Sequence, residues 1–253
     1  MRFAHPELLS WLDAGAVVLT PDGLLASVIA RQYAEHQLSA GRRGWAQPGI
    51  LSLNAWLQQT WRDARLRLPD LPLLLSAPQE QMLWEQAIQN SGVQVLTPTA
   101  TARNAMTAAR FIAEWQLPLR HSSWDDEEDA SQFRNWLLQV RSACKKNEWL
   151  LGCDLRAYIA QSAVRLALPE CLILAGFEER PRALMHFAAA LADRGTHVQF
   201  AEPFREPAGV VSISCDDKEN ELDTAARWVR ARLEEQPEAS IALLVQNLRQ
   251  DRA

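Results

Sequence analysis

LILAGFEERP, residues 172–181, decides the fold. The run Leu172, Ile173, Leu174 reads as a strand buried on both faces. It stops at Ala175 and Gly176, and a charged turn of Glu178, Glu179 and Arg180 leads through Pro181 towards a helix. Nucleotide-hydrolysing enzymes with a parallel sheet hold a magnesium-binding aspartate at such a strand tip, often followed by a catalytic glutamate. Ala175 and Gly176 offer no ligand atoms there, so the two glutamates are read as a helix-leading turn whose charge suits a helix N-terminus. The stretch has the outline of a site without its acids.

Outward from this strand, the sequence alternates. PRALMHFAAALADRG predicts a helix closed by Gly195, THVQFAE and GVVSISC predict strands, KENELDTAARWVRARLEEQ a helix, and SIALLVQNL a further strand. The first third has the same texture. AVVLT (16–20) predicts a strand followed by a helix with apolar residues at Leu24, Leu25, Val28, Ile29 and Tyr33. GRRGW (41–45) is a loop, and ILSLNAWLQQTWRDARL (50–66) passes from an extended start into a second helix. PDLPLLLSAP, with its three prolines, marks a boundary.

The middle is different. SAPQEQMLWEQAIQNSG opens on a serine cap with proline and an early acid and closes at Asn90 to Gly92. Three more segments with helical periodicity follow, and the acidic run DDEED (125–129) precedes one of them as a solvated N-terminal cap. The expectation is an α/β fold: a mostly parallel, P-loop-NTPase-like sheet with flanking helices, interrupted by an all-helical insertion. Residues 1–75 are expected to form its first part, 76–166 the insertion, and 167–253 the second part together with the start of a next lobe. The chain stops at RQDRA, where another helix is expected, so it is read as the N-terminal piece of a longer protein.

A chain of 253 residues, 48% of them hydrophobic, can bury a substantial core. No run of 18 apolar residues occurs, and MRFAHPELLSWLDAG lacks the basic start and apolar core of a secretory leader, so a cytoplasmic location without membrane contact is expected. Cys144, Cys153, Cys171 and Cys215 form no CxxC pair and are expected to be reduced, buried thiols. The net charge of -5 excludes a chain coated in basic residues. Its cations are nearly all arginine, with lysine only at 145, 146 and 218, a bias suited to phosphate and carboxylate alike. The ten tryptophans are read chiefly as core anchors.

Binding the phosphates of a nucleotide requires a glycine-rich turn whose amides approach them and a lysine that reaches the outer ones. No glycine here is followed by lysine, no lysine precedes serine or threonine, and GxGxxG is absent. The histidines, His5, His36, His121, His186 and His197, show no HExxH or HxH spacing, and there is no GxSxG elbow. No cofactor or metal is therefore expected.

Five blocks, GAVVLTPDGLLASVIARQY, GILSLNAWLQQTW, SAPQEQMLWEQAI, CLILAGFEERPRALMHFAAAL and ENELDTAARWVRARL, occur in an order that resembles the N-terminal region of predicted bacterial DNA repair proteins. These are inactivated superfamily I helicases related to the AddB and RecC subunits of helicase-nuclease complexes. The resemblance implies a catalytically inactive module for DNA repair or recombination, with a PD-(D/E)XK nuclease domain far downstream in the parent. It implies single-stranded DNA or duplex ends as partner, a helicase or nuclease subunit as a second one, and DNA contact at Thr20 with Arg31 as a phosphate partner. Asp22 and Gly23 depart from the polar or basic residues that favour DNA, and Glu221 corresponds either to a ribose-binding glutamate of active relatives or to a surface helix residue. For bases stacked in a groove, Trp45 and Trp56 are the expected aromatics. The alternatives are a protein-interaction scaffold without DNA contact and a small-molecule enzyme of α/β type.

Overall fold

The structure is a computed structural model that describes residues 6–201 and 209–245. The chain divides into two compact units, Met1–Arg205 and Glu206–Ala253.

In the first unit, four strands form one parallel sheet: β1 (Val17–Thr20), β2 (Ile50–Ser52), β5 (Cys171–Ala175) and β6 (His197–Ala201), in the order β2-β1-β5-β6. The first and last thirds of the sequence thus build a single sheet, as their alternation predicts. Alternate residues along a strand face opposite sides. Val18, Ile173 and Ala175 pack with Leu8, Leu12, Ile29 and Tyr33 from α1 (Pro6–Asp13) and α2 (Gly23–Ser39). Leu19, Leu172 and Leu174 pack on the other side with Trp56, Trp61, Ile159, Leu184 and Phe187 from α3 (Leu53–Arg67), α7 (Leu155–Ser162) and α8 (Arg182–Ala192). A sheet covered on both faces needs apolar residues at every strand position, and that is why LILA has no polar alternation.

Two short strands, β3 (Leu73–Leu74) and β4 (Trp149–Leu150), pair in parallel and bring the chain's entry to the helical segment beside its exit. Between them lie α4 (Ala77–Asn90), α5 (Pro98–Trp115) and α6 (Glu128–Asn147). Ser76 and Gln79 form the capping box that starts α4, and Gly92 takes a left-handed turn after it. These helices share a core of Trp84, Ile88, Ala102, Ala105, Ala109, Ile112, Trp136, Leu137 and Val140, in which the alanines let α5 approach closely. α7 follows the exit strand, and its Leu155 and Ile159 belong to the sheet's core. The DDEED run sits at the start of α6, where Glu127 is the N-cap and Asp125 pairs with Arg134.

GVVSISC and SIALLVQNL were both expected as strands, yet residues 209–215 and 240–245 join no ladder, and 246–248 lie outside the described residues. Val210 and Leu244 are 91% and 96% exposed. β-Branched content favours an extended chain, but a strand is stabilised only when a neighbour takes up its backbone hydrogen bonds and covers its side chains. The helix between them, α9 (Lys218–Glu235), forms as predicted, capped by the Asp217 carboxylate and laced by Arg227–Asp223 and Arg230–Glu234 pairs. None of its residues is buried.

Candidate functional site

In a parallel sheet, ligands bind beyond the carboxyl ends of the strands, where neighbouring connections leave in opposite directions. That point falls between β1, which leads to β2 on one side, and β5, which leads to β6 on the other. The turns lining it are Pro21–Asp22 before α2 and Gly176–Pro181 before α8.

These turns are packed against each other. Gly176 has φ +78°, and a Cβ built there would lie 2.4 Å from Leu25 Cδ2 and 3.9 Å from Pro21 Cδ. The Leu25 side chain therefore lies on the strand tip that a phosphate or metal would approach. The Gly176 amide is already committed, donating to the Ala201 carbonyl at 3.2 Å. At the start of α2 the Asp22 carboxylate accepts from the Leu25 amide at 2.9 Å and caps the helix. An anion that came to this N-terminus would meet a fixed negative charge in the place that helix N-termini usually offer to phosphate. Glu178 and Glu179 are exposed in the turn, three or more residues beyond the strand, and Arg180 stacks its guanidinium 4.5 Å from the centre of the Phe200 ring.

The four sequence-predicted contact residues do not converge. Thr20 is fully buried, its hydroxyl donating to the Asp22 carbonyl at 2.7 Å and lying 3.3 Å from that of Leu51, so it ties the β1–α2 turn together and presents nothing to DNA. Trp56 is 7% exposed and meets Phe187 edge to face at 6.1 Å. It is a core residue, and the base-stacking role expected for it is corrected: an indole enclosed on both faces has no free face for a base. Trp45 is half-buried against the cluster on the opposite side of the sheet from Trp56, so the two rings cannot form one platform. Arg31 is exposed on α2 and pairs with Glu35 at 3.8 Å.

Two polar clusters escaped the sequence reading. Asp13, at the end of α1, accepts from Tyr33 and Gln37 of α2 and pairs with Arg42 at 3.4 Å. The Tyr33 and Gln37 hydrogen bonds, which outweigh its burial, hold its carboxyl below the ordinary value, while burial and the Asp13 contact raise the Tyr33 phenol. The i, i+4 spacing of Tyr33 and Gln37 is the one sequence signal for it. In the insertion, the Glu80 carboxylate accepts from the Gly152 amide, yet burial raises its pKa above the usual range. Nearby Cys144 is pushed up to about 11 and Cys153 further, chiefly by burial, so both stay protonated and poorly nucleophilic at neutral pH. All four cysteines are free thiols, but of the burial expected for them only that of Cys144 is complete, Cys153, Cys171 and Cys215 being half-buried.

A second concavity lies on the insertion, between α4 and α5. It is an open groove of about 580 Å³ lined by Ala77, Pro78, Gln81, Met82 and Glu85 on one side and Arg103, Met106, Thr107 and Arg110 on the other. Sequence gave no sign of it, because helical periodicity marks the buried face of each helix and not the gap between two exposed ones.

No helix among the described residues is long and apolar enough to cross a membrane. No protein-family model matches the sequence, and no curated protein is significantly similar to it.

Proposed function

We propose that this chain is a non-hydrolysing, helicase-like α/β module that works in the cytoplasm, in DNA repair or recombination, and holds DNA or a partner subunit for a nuclease carried elsewhere in the parent protein. The observation that supports it best is the closed strand-tip crevice. Leu25 rests on Gly176, and Asp22 caps α2 where a phosphate cradle would need free amides and a lysine. We read a parallel sheet with that arrangement as a motor-like fold without a place for its fuel. The resemblance of the five sequence blocks to inactivated superfamily I helicases supplies the DNA half of the reading.

Of the contact residues first expected, Arg31 and Trp45 are the ones with surface to offer. Anisotropy of a labelled single-stranded oligonucleotide tests the DNA half. Affinity is expected at about 50 mM salt and should fall at least about tenfold by about 200 mM through counterion release, with Arg31→Glu weakening it further. No affinity at low salt, or affinity indifferent to salt, removes DNA and leaves the partner-holding reading. That second reading has its own support in the α4–α5 groove, whose lining mixes methionine with arginine.

A further inference from the structure

We infer that the groove between α4 and α5 docks a short helical protein segment carrying carboxylates along one flank, an inference that rests on reading the chain as a module that holds a partner. Its floor and walls include Ala77, Pro78, Met82 and Met106, and Met82 is 70% exposed. Exposed methionine is a usual surface for helix-in-groove recognition, because the unbranched thioether reshapes around apolar side chains at little cost. Along α4 the lining runs from Ala77 to Glu85, little more than two turns or about 12 Å, a length matched to two or three turns of a docked helix.

The charge on the two walls differs. Arg103 and Arg110 stand two turns apart on the α5 wall, and neither is within ion-pair distance of a carboxylate among the described residues. Among the described residues Arg110 holds only the Thr107 hydroxyl, at 3.2 Å, and is a minor attraction felt by Glu80. Several other arginines of this chain are committed: Arg134 to Asp125, Arg141 to Asp154, Arg156 to Glu114 and Arg165 to Asp70. On the α4 wall, Glu85 accepts from Gln81 at 2.9 Å and repels a second carboxylate. The fitting occupant therefore carries acids about seven residues apart on the flank facing α5, apolar side chains between them, and no acid facing α4. Nucleic acid fits less well, since the lining offers no aromatic ring for stacking and includes a carboxylate.

The test is selection of the whole chain against a phage-displayed library of random 16-residue peptides, followed by fluorescence titration of the enriched sequences. Enrichment of apolar residues at helical spacing with acids on one flank is expected. Those peptides should lose at least about tenfold in affinity to Met82→Glu and to Arg103→Glu combined with Arg110→Glu, and should keep much of it with Arg103→Lys combined with Arg110→Lys. Circular dichroism must show each variant folded, and Met82→Ala serves if Met82→Glu is not. Absence of enrichment, or enriched peptides that bind the charge-reversed variant as tightly as the parent, overturns the inference. So does a labelled oligothymidine that binds the parent, is displaced by no peptide, and is lost on charge reversal. Failure of the salt-dependent DNA titration leaves the peptide outcome unaffected, so the two readings fail separately.

Discussion

At the tips of β1 and β5 the chain packs Leu25 onto Gly176 and spends its helix N-terminus on Asp22, whereas between α4 and α5 it leaves Met82, Arg103 and Arg110 open. The first place is where the topology of a parallel sheet puts ligands, and it is filled. The second is a gap between two helices of the insertion, where among the described residues no carboxylate pairs with Arg103 or Arg110. Topology locates where binding is geometrically easy, but the side chains decide whether anything enters.

The contrast can be broken most severely in the core beside the closed crevice. Trp56→Ala removes a buried indole and is expected to destabilise the protein by about 3–5 kcal/mol in urea unfolding. A change within about 1 kcal/mol would mean the ring is not enclosed. Gly176→Ala comes next. A left-handed φ strains any side chain there, and an added Cβ must also push aside the flexible end of Leu25, so a loss of about 1–2 kcal/mol is expected. Leu25→Ala in the same chain should recover the steric part, and the resulting coupling in a double-mutant cycle measures the closure itself. Additive effects would place Leu25 away from the strand tip.

Asp22→Ala removes the α2 cap and is expected to cost about 1 kcal/mol. The smallest effect belongs to Glu80→Gln on the insertion. The folded protein raises this carboxyl above 4.5, so the native state holds more protons than the unfolded chain and stability contributed by the group falls as pH rises from about that value. The variant should therefore be slightly more stable than the parent at neutral pH, by less than about 1 kcal/mol, with the advantage vanishing below pH 4.5. A variant that is less stable at neutral pH would show that the Gly152 hydrogen bond outweighs burial.

Much of the sheet was legible because its signals are local. LILA has no polar alternation, so β5 reads as covered on both faces, and the Ser76, Pro78 and Glu80 pattern announces α4 before any tertiary contact is known. Side-chain placement was not legible. Periodicity says that Trp56 lies on an apolar stripe and that Trp45 lies in a loop, but only the assembled sheet puts them on opposite faces. Thr20 looks available in a polar turn, yet the hydrogen bond to Asp22 turns its hydroxyl inward. The strands expected at 209–215 and 240–245 show the same limit from the other side, since an apolar run states a preference and a neighbouring edge is needed to satisfy it.

The closed crevice is tested most directly by titrating the whole chain with a fluorescent ATP analogue and magnesium. No saturable signal is expected up to about millimolar nucleotide, the range in which binding is worth only about 4 kcal/mol. Saturation at micromolar concentration, with the signal reversed by unlabelled ATP, would contradict it.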